Sequence, residues 1–251
     1  MPRLLFVAVF LSIYILLAGP PLLVYTFLTN HVDPLYWAGL KGLLFFVRAV
    51  GVKVHVKGRE KVPAGTCVFA ANHTSSADAP AVVGAIPRRI AVLLKASLFK
   101  WPIVGQAFRL AKFIPVDRKN RDAAIASMEK ATAALREGQS FLIYPEGTRS
   151  PDGRLQRFKK GAAVIAINAG VPIVPMACSG AQRIMEKKSL VIHPGEIVVE
   201  FLEPIETTGY SLDDKDALNE RIREAMAAAL PPDQRPLDVS APAAAEPQGL
   251  D

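Results

Sequence analysis

The stretch Thr66-Cys67-Val68-Phe69-Ala70-Ala71-Asn72-His73-Thr74-Ser75-Ser76-Ala77-Asp78-Ala79-Pro80 decides how this chain is read. Residues 66–71 form a short apolar run, the pattern of a buried strand. Ala79-Pro80-Ala81-Val82-Val83 reads as the start of a helix, because proline is tolerated in the first helical turn. What lies between is a strand-to-helix turn, the place where open α/β sheets carry their chemistry. It holds one imidazole, His73, and one carboxylate, Asp78, five positions apart. Inside a regular helix that spacing would put them on different faces. With the helix N-cap near Ala77 to Ala79 they can meet: Asp78 accepts from one ring nitrogen and the other is left as a base. Ser75 and Ser76 lie between them, but neither has a G-x-S-x-G setting, so a serine nucleophile is not indicated. The plainer alternative is an aspartate that caps the helix beside a loop histidine.

Working outward, 251 residues give one large domain with room for a full core. A net charge of +7 calls for an anionic partner: nucleic acid, a phosphorylated substrate or an acidic membrane surface. No basic run is interleaved with aromatics, which removes nucleic acid. A hydrophobic content of 51% and a mean hydropathy of +0.24 favour the membrane. Cys67 and Cys178 each lie in or beside an apolar run and read as reduced core residues. The four histidines make no zinc-like spacing with them.

Residues 4–28 carry no charge. As a straight helix they would span roughly 37 Å, enough for a bilayer core, but Gly19-Pro20-Pro21 is expected to break it and leave an arm of about 22 Å. Either a kinked transmembrane helix results, or a hairpin that dips into one leaflet. The second arm of that hairpin would be 35–50, opening with Tyr36 and Trp37 at the membrane–water boundary. A cleaved signal peptide is a third reading, for which Ala18-Gly19-Pro20-Pro21 is a poor cleavage site. Residues 1–50 are therefore expected to be a membrane-attaching helical module. Residues 51–230 are expected to be an α/β domain, and 231–251 a disordered Pro/Ala-rich tail.

Within the central part, 52–56 alternate as a strand that leaves His55 at the surface. Residues 90–95 read as a buried strand ending in Lys95, and Phe113-Ile114-Pro115-Val116-Asp117-Arg118 as a short strand running into an acid–base pair. Residues 122–137 have helical periodicity, stopped by Gly138. The strand Phe141-Leu142-Ile143-Tyr144 runs into Pro145-Glu146-Gly147-Thr148-Arg149-Ser150, a second chemical cluster. There Gly147 lets backbone amides approach a ligand, Thr148 offers a hydroxyl, and Arg149 offers a planar fork suited to phosphate. Glu146 is suited to receive a substrate hydroxyl or to fix an arginine. Phe158-Lys159-Lys160-Gly161 precedes a helical run to Ala169. Residues 171–177 form a strand whose prolines, Pro172 and Pro175, make its ladder irregular. Residues 191–201 read as a strand pair turning at Pro194-Gly195, with His193 at the surface, and 213–230 as an amphipathic helix. The expected fold class is a single α/β domain with a central mixed sheet flanked by helices, plus the hydrophobic N-terminal module.

Four of these stretches, taken together, resemble the glycerolipid acyltransferase family, nearest to its 1-acyl-glycerol-3-phosphate type. The N-H-x4-D block is matched by Asn72, His73 and Asp78. A strand ending in arginine is matched by Phe113 and Arg118, although Pro115 and Val116 separate the halves of the usual F-I-D-R. F-P-E-G-T-R-S is matched from Pro145 to Ser150, with Tyr144 in place of its first residue, and V-P-I-V-P is matched at Val171 to Pro175. The resemblance covers about residues 35–201. It implies His73 as the general base, with Asp78 setting its tautomer. It also implies that backbone amides near Gly147 serve as oxyanion donors and that Arg149, Arg118 and Lys95 grip an acceptor phosphate. The implied donor is acyl-CoA or acyl-carrier protein, used as substrate; no cofactor or metal is called for. The implied acceptor is lysophosphatidic acid, and the implied location is the cytoplasmic side of a bacterial inner membrane. Two rival readings are the same chemistry on another lysolipid, such as a lyso-ornithine lipid, and a membrane-bound lipid-binding protein without catalysis.

Overall fold

The computed structural model describes residues 2–117, 121–186, 189 and 191–237. The chain runs α1 (Pro2–Thr29), α2 (Asp33–Ala49), β1 (Val52–Lys57), β2 (Val68–Ala71), α3 (Asp78–Ala85), β3 (Ala91–Lys95), α4 (Val104–Leu110) and β4 (Ile114–Val116). It continues through α5 (Arg121–Arg136), β5 (Phe141–Ile143), α6 (Gly161–Ala169), β6 (Ile173–Ser179), α7 (Ala181–Ile184), β7 (Gly195–Phe201) and α8 (Lys215–Ala229).

The strands make one seven-stranded mixed sheet in the order β1-β7-β6-β2-β5-β3-β4. From β6 to β4 neighbouring strands are parallel. β7 pairs antiparallel with β6, and β1 parallel with β7. The central strand β2 is buried at every position. Its alternating side chains enter two cores, one on each face. Phe69 and Ala71 pack with Met176, Ile197 and the Ala81, Val82 and Ala85 face of α3. Val68 and Ala70 pack with Phe141 and with α5, α6 and α8 through Leu135, Ile165 and Ile222. The parallel strands β2, β5, β3 and β4 all deliver their C-terminal ends to one edge of the sheet, in that order.

The prolines behave according to position. Pro115 is tolerated because β4 is an edge strand. Pro175 lies in the interior of the sheet. Its carbonyl accepts from Leu202 N at 2.9 Å, beyond the end of β7, and the paired β6–β7 ladder starts at Met176. The expected irregularity thus falls on the β7 side of β6.

Three expectations are corrected. Gly19-Pro20-Pro21 does not break α1, which runs 28 residues through both prolines, about 42 Å. Outside contacts hold it there. Gly19 lies so close to Ile103 that a Cβ would stand 2.5 Å from its Cγ2, and the Tyr14 hydroxyl donates to Ala38 O on α2 at 2.9 Å. Residues 191–194 form no strand, because both neighbours of β7, β1 and β6, are already in place and no hairpin partner is needed. The segment from Pro231 begins packed rather than free. Leu155 N donates to Gln234 O at 2.8 Å, Gly180 N to Gln234 Oε1 at 3.2 Å, and Gln234 is 1% exposed. The remainder of the expected tail, 238–251, lies outside the described residues.

Gln234→Ala strands the Gly180 N–H, a partly buried donor at a left-handed glycine, so it is expected to lower unfolding free energy by about 1–3 kcal/mol. Denaturant unfolding of the detergent-solubilised protein measures this; an unchanged midpoint and slope would contradict it.

Candidate functional site

His73 follows Asn72 at the end of β2, and Asn72 fixes that end. Its amide donates to Cys178 O at 2.9 Å and accepts from Cys178 N at 2.7 Å, so both side-chain groups are spent on β6. Cys178 and Cys67 are free, buried thiols whose ionisation burial opposes, Cys67 being pushed up to about 11.

Asp78 opens α3 and points back into the turn. Its Oδ1 lies 2.9 Å from His73 Nδ1, and its Oδ2 accepts from Thr74 N and Ser75 N, both at 2.8 Å. The side chain is fully buried. A carboxylate that takes three N–H donors at the first turn of a helix is stabilised by them and by the helix dipole. Because that carboxylate can only accept, Nδ1 carries the hydrogen, and Nε2 is the free acceptor of a ring 17% exposed. Five residues of a turn bring together what five residues of a helix would separate.

The turn after β5 grips the same histidine by its backbone. Glu146 Oε1 accepts from His73 N at 2.7 Å, and Ser150 N donates to His73 O at 2.7 Å. The second Glu146 oxygen accepts from Gln156 N at 3.3 Å. Glu146 is 4% exposed, and burial pushes its carboxyl up to about 7 against the pull of those two amides. Its geometry is that of a bracket between two backbone segments.

Tyr144 supplies the third hold. Its ring stacks on the imidazole with centroids 4.2 Å apart and planes at 27°. Its hydroxyl is buried without a hydrogen-bond partner among the described residues, and burial beside Asp78 and Cys178 keeps it protonated. Beyond this ring lies a cleft of about 180 Å³, with an apolar lining that includes Leu93, Met128, Ile143 and Ile165 and with Gly147 and Lys159 beside it.

The other sequence-predicted residues fall as follows. Arg149 Nη1 donates to Ser76 Oγ and so ties the second cluster to the first. Lys95 is exposed at the end of β3, on the same sheet edge as His73. Thr148 is exposed. Gly147 takes φ +72°, and its N–H donates to Tyr144 O at 2.9 Å, so that amide is engaged in the turn rather than waiting for an oxyanion. Arg118 lies outside the described residues. Sequence reasoning missed the stacking of Tyr144, the bracing by Gln156 and the position of Lys159. The one available signal was that Lys159 follows the end of the second cluster, Ser150, by nine positions.

An Asp78→Asn variant presents an amide NH2 where donors converge. It is expected to lose the Nδ1 tautomer and to cost about 1–3 kcal/mol of stability. Glu146 has a separate signature in pH. Its folded carboxyl at about 7 binds a proton that the unfolded one, near 4.5, has released, so stability falls as pH rises from about 4.5 to 7. The effect is on the order of 3 kcal/mol at most. Glu146→Gln is expected to flatten that slope in unfolding measurements between these pH values; an unaltered slope would rule out Glu146 as its source.

Known proteins similar to this chain point to one family. A family model described as Acyltransferase matches residues 53–179. A 1-acyl-sn-glycerol-3-phosphate acyltransferase of Limnanthes douglasii is 33% identical over 217 residues, 86% of this chain and 76% of its own. The human 1-acyl-sn-glycerol-3-phosphate acyltransferase alpha is 35% identical over 186 residues, 73% of this chain and 66% of its own. The crystal structure of the 1-acyl-sn-glycerophosphate acyltransferase PlsC from Thermotoga maritima superposes with a TM-score of 0.76 at 27% identity, covering 90% of this chain and 91% of that one.

Proposed function

The chain belongs to the acyltransferase family, and we propose that it acylates the sn-2 hydroxyl of 1-acyl-glycerol-3-phosphate, from acyl-CoA or acyl-carrier protein, to form phosphatidic acid. The observation that carries this is His73, its Nδ1 held by a buried carboxylate and its Nε2 left as an acceptor on a sheet edge that also bears Lys95 and Arg149. Nε2 takes the proton of the acceptor hydroxyl while Asp78 stabilises the imidazolium that forms. The oxygen attacks the thioester carbonyl, the new C–O bond replaces C–S, and the departing thiolate recovers the proton from His73. Lys95, Arg118 and Arg149 hold the acceptor phosphate, and the apolar cleft beside Tyr144 accepts hydrocarbon.

The N-terminal helices give the lipid a route to this chemistry. α1 is long and apolar enough to cross a membrane, with Leu5, Phe10, Leu16, Leu17, Phe27 and Leu28 exposed. It also leans on the catalytic domain at Val7, which packs on the core, and at Gly19, which meets Ile103. Its outer face therefore enters the bilayer while the sheet edge stays at the interface where lysolipids reside.

Transfer from acyl-CoA and from acyl-carrier protein to lysophosphatidic acid is the direct test. His73→Ala is expected to lower it about 10³-fold, and a normal rate in that variant would overturn the mechanism. Strong transfer to a phosphate-free acceptor alone, such as a lyso-ornithine lipid, would replace the acceptor. Absence of acceptor-dependent thiol release would leave a lipid-binding protein. Tyr144→Phe keeps the stacked face and is expected to keep kcat within about threefold, whereas Tyr144→Leu is expected to lose about 5–10-fold in kcat. Equal loss in both would move the effect from the ring to the hydroxyl.

A further inference from the structure

Gly147 and Lys159 behave as one structural unit although they are twelve positions apart. A Cβ on Gly147 would stand 2.8 Å from Lys159 Cε, 2.9 Å from Cδ and 3.1 Å from Nζ. The lysine stem therefore lies across the turn that follows β5, and its ammonium rests against the backbone of that turn. Its root is pinned as well, with Lys159 N donating to Pro145 O at 2.7 Å. Glycine at 147 thus answers two demands: a positive φ, and room for the lysine to cross.

The two adjacent lysines have different fates. Lys160 turns to α8 and pairs with Asp216 at 2.9 Å. Lys159 stays exposed, without an ion pair among the described residues. It lines the apolar cleft of which Tyr144 is one wall, and Tyr144 stacks on His73. An ammonium beside apolar walls, one ring away from the proposed base, suits a ligand with hydrocarbon at one end and an anion at the other. Lysine serves as a mobile point charge for phosphate, with three donors on a flexible stem.

We infer that Lys159 binds the phosphomonoester head of the acyl acceptor, a role that rests on the acyltransferase reading above. It joins the cations at the sheet edge from a different segment, the loop that leads into α6. Its contact is with a part of the acceptor that keeps the same charge through the reaction. Its loss should therefore weaken binding and leave the chemical step alone.

The test uses the full chain in detergent micelles, with Lys159→Met and Lys159→Arg beside wild type. The paired ligands are lysophosphatidic acid and a monoacylglycerol of the same chain length. Lys159→Met is expected to raise KM for lysophosphatidic acid about tenfold with kcat within about twofold. Calorimetric binding of lysophosphatidic acid should weaken by the same factor, binding of the monoacylglycerol should not change, and Lys159→Arg should restore most of the affinity. Unchanged KM and binding in Lys159→Met would overturn the proposal, and so would equal weakening toward both ligands. A fall in kcat at constant KM would also overturn it, by placing the ammonium at the reacting carbonyl. If wild type neither binds nor acylates lysophosphatidic acid, the acceptor reading falls and this proposal with it. If wild type does both and Lys159→Met is indifferent, the proposal falls alone.

Discussion

Two buried carboxylates hold one histidine, and the rest of the site is arranged around that hold. Asp78 takes the ring through Nδ1, and Glu146 takes the backbone N–H of the same residue. Burying either charge is costly, and each cost is offset by N–H donors in place of water. Asp78 has three such donors within five residues of chain. Glu146 has two, from segments on both sides of it in sequence, and they leave its carboxyl elevated near 7. The first carboxylate sets which ring nitrogen is free. The second sets where the residue sits.

This hold is a consequence of strand order. β2 and β5 are adjacent and parallel, so the turn that bears His73 and the turn that bears Glu146 leave the sheet side by side. The next strand out brings Lys95 to the same edge. The sheet edge thereby carries His73, Lys95 and Arg149 together, and the loop before α6 folds Lys159 back over Gly147. An imidazole acceptor and cations on one edge are the features that the proposed reaction uses. The apolar helices α1 and α2 pack together through Tyr14 and Phe46, and α1 is long and apolar enough to cross a membrane.

Much of this was legible residue by residue. The buried run before Asn72, the proline just inside α3 and the glycine stops at Gly138 and Gly170 mark real element boundaries, because local sterics and donor counts act over a few residues. His73 and Asp78 were legible for the same reason: their meeting is decided inside one turn. Glu146 was visible as a residue but not as a bracket, since its two partners lie 73 positions before it and 10 after it. Tyr144 read as a strand residue, because nothing local says which ring it will face. Gly19-Pro20-Pro21 misled because helix breaking is a local rule, and here contacts with Ile103 and α2 outweigh two lost N–H donors. The segment after Pro231 misled in a similar way, because composition does not register that one glutamine amide finds Gly180 and Gly153.

The sequence by itself determined the chemical inventory and its local geometry: a mixed α/β chain, an imidazole and a carboxylate in one turn, a glycine–arginine turn after a buried strand, and an apolar N-terminus. These depend on period, turn residues and donor count, which act between near neighbours. Only the tertiary structure decided that the two turns share a histidine, that a tyrosine face covers its ring, and that a lysine crosses the glycine turn to stand beside an apolar cleft. Those facts follow from which strands lie next to each other, and strand order is set by the packing of the whole sheet between its two helical layers.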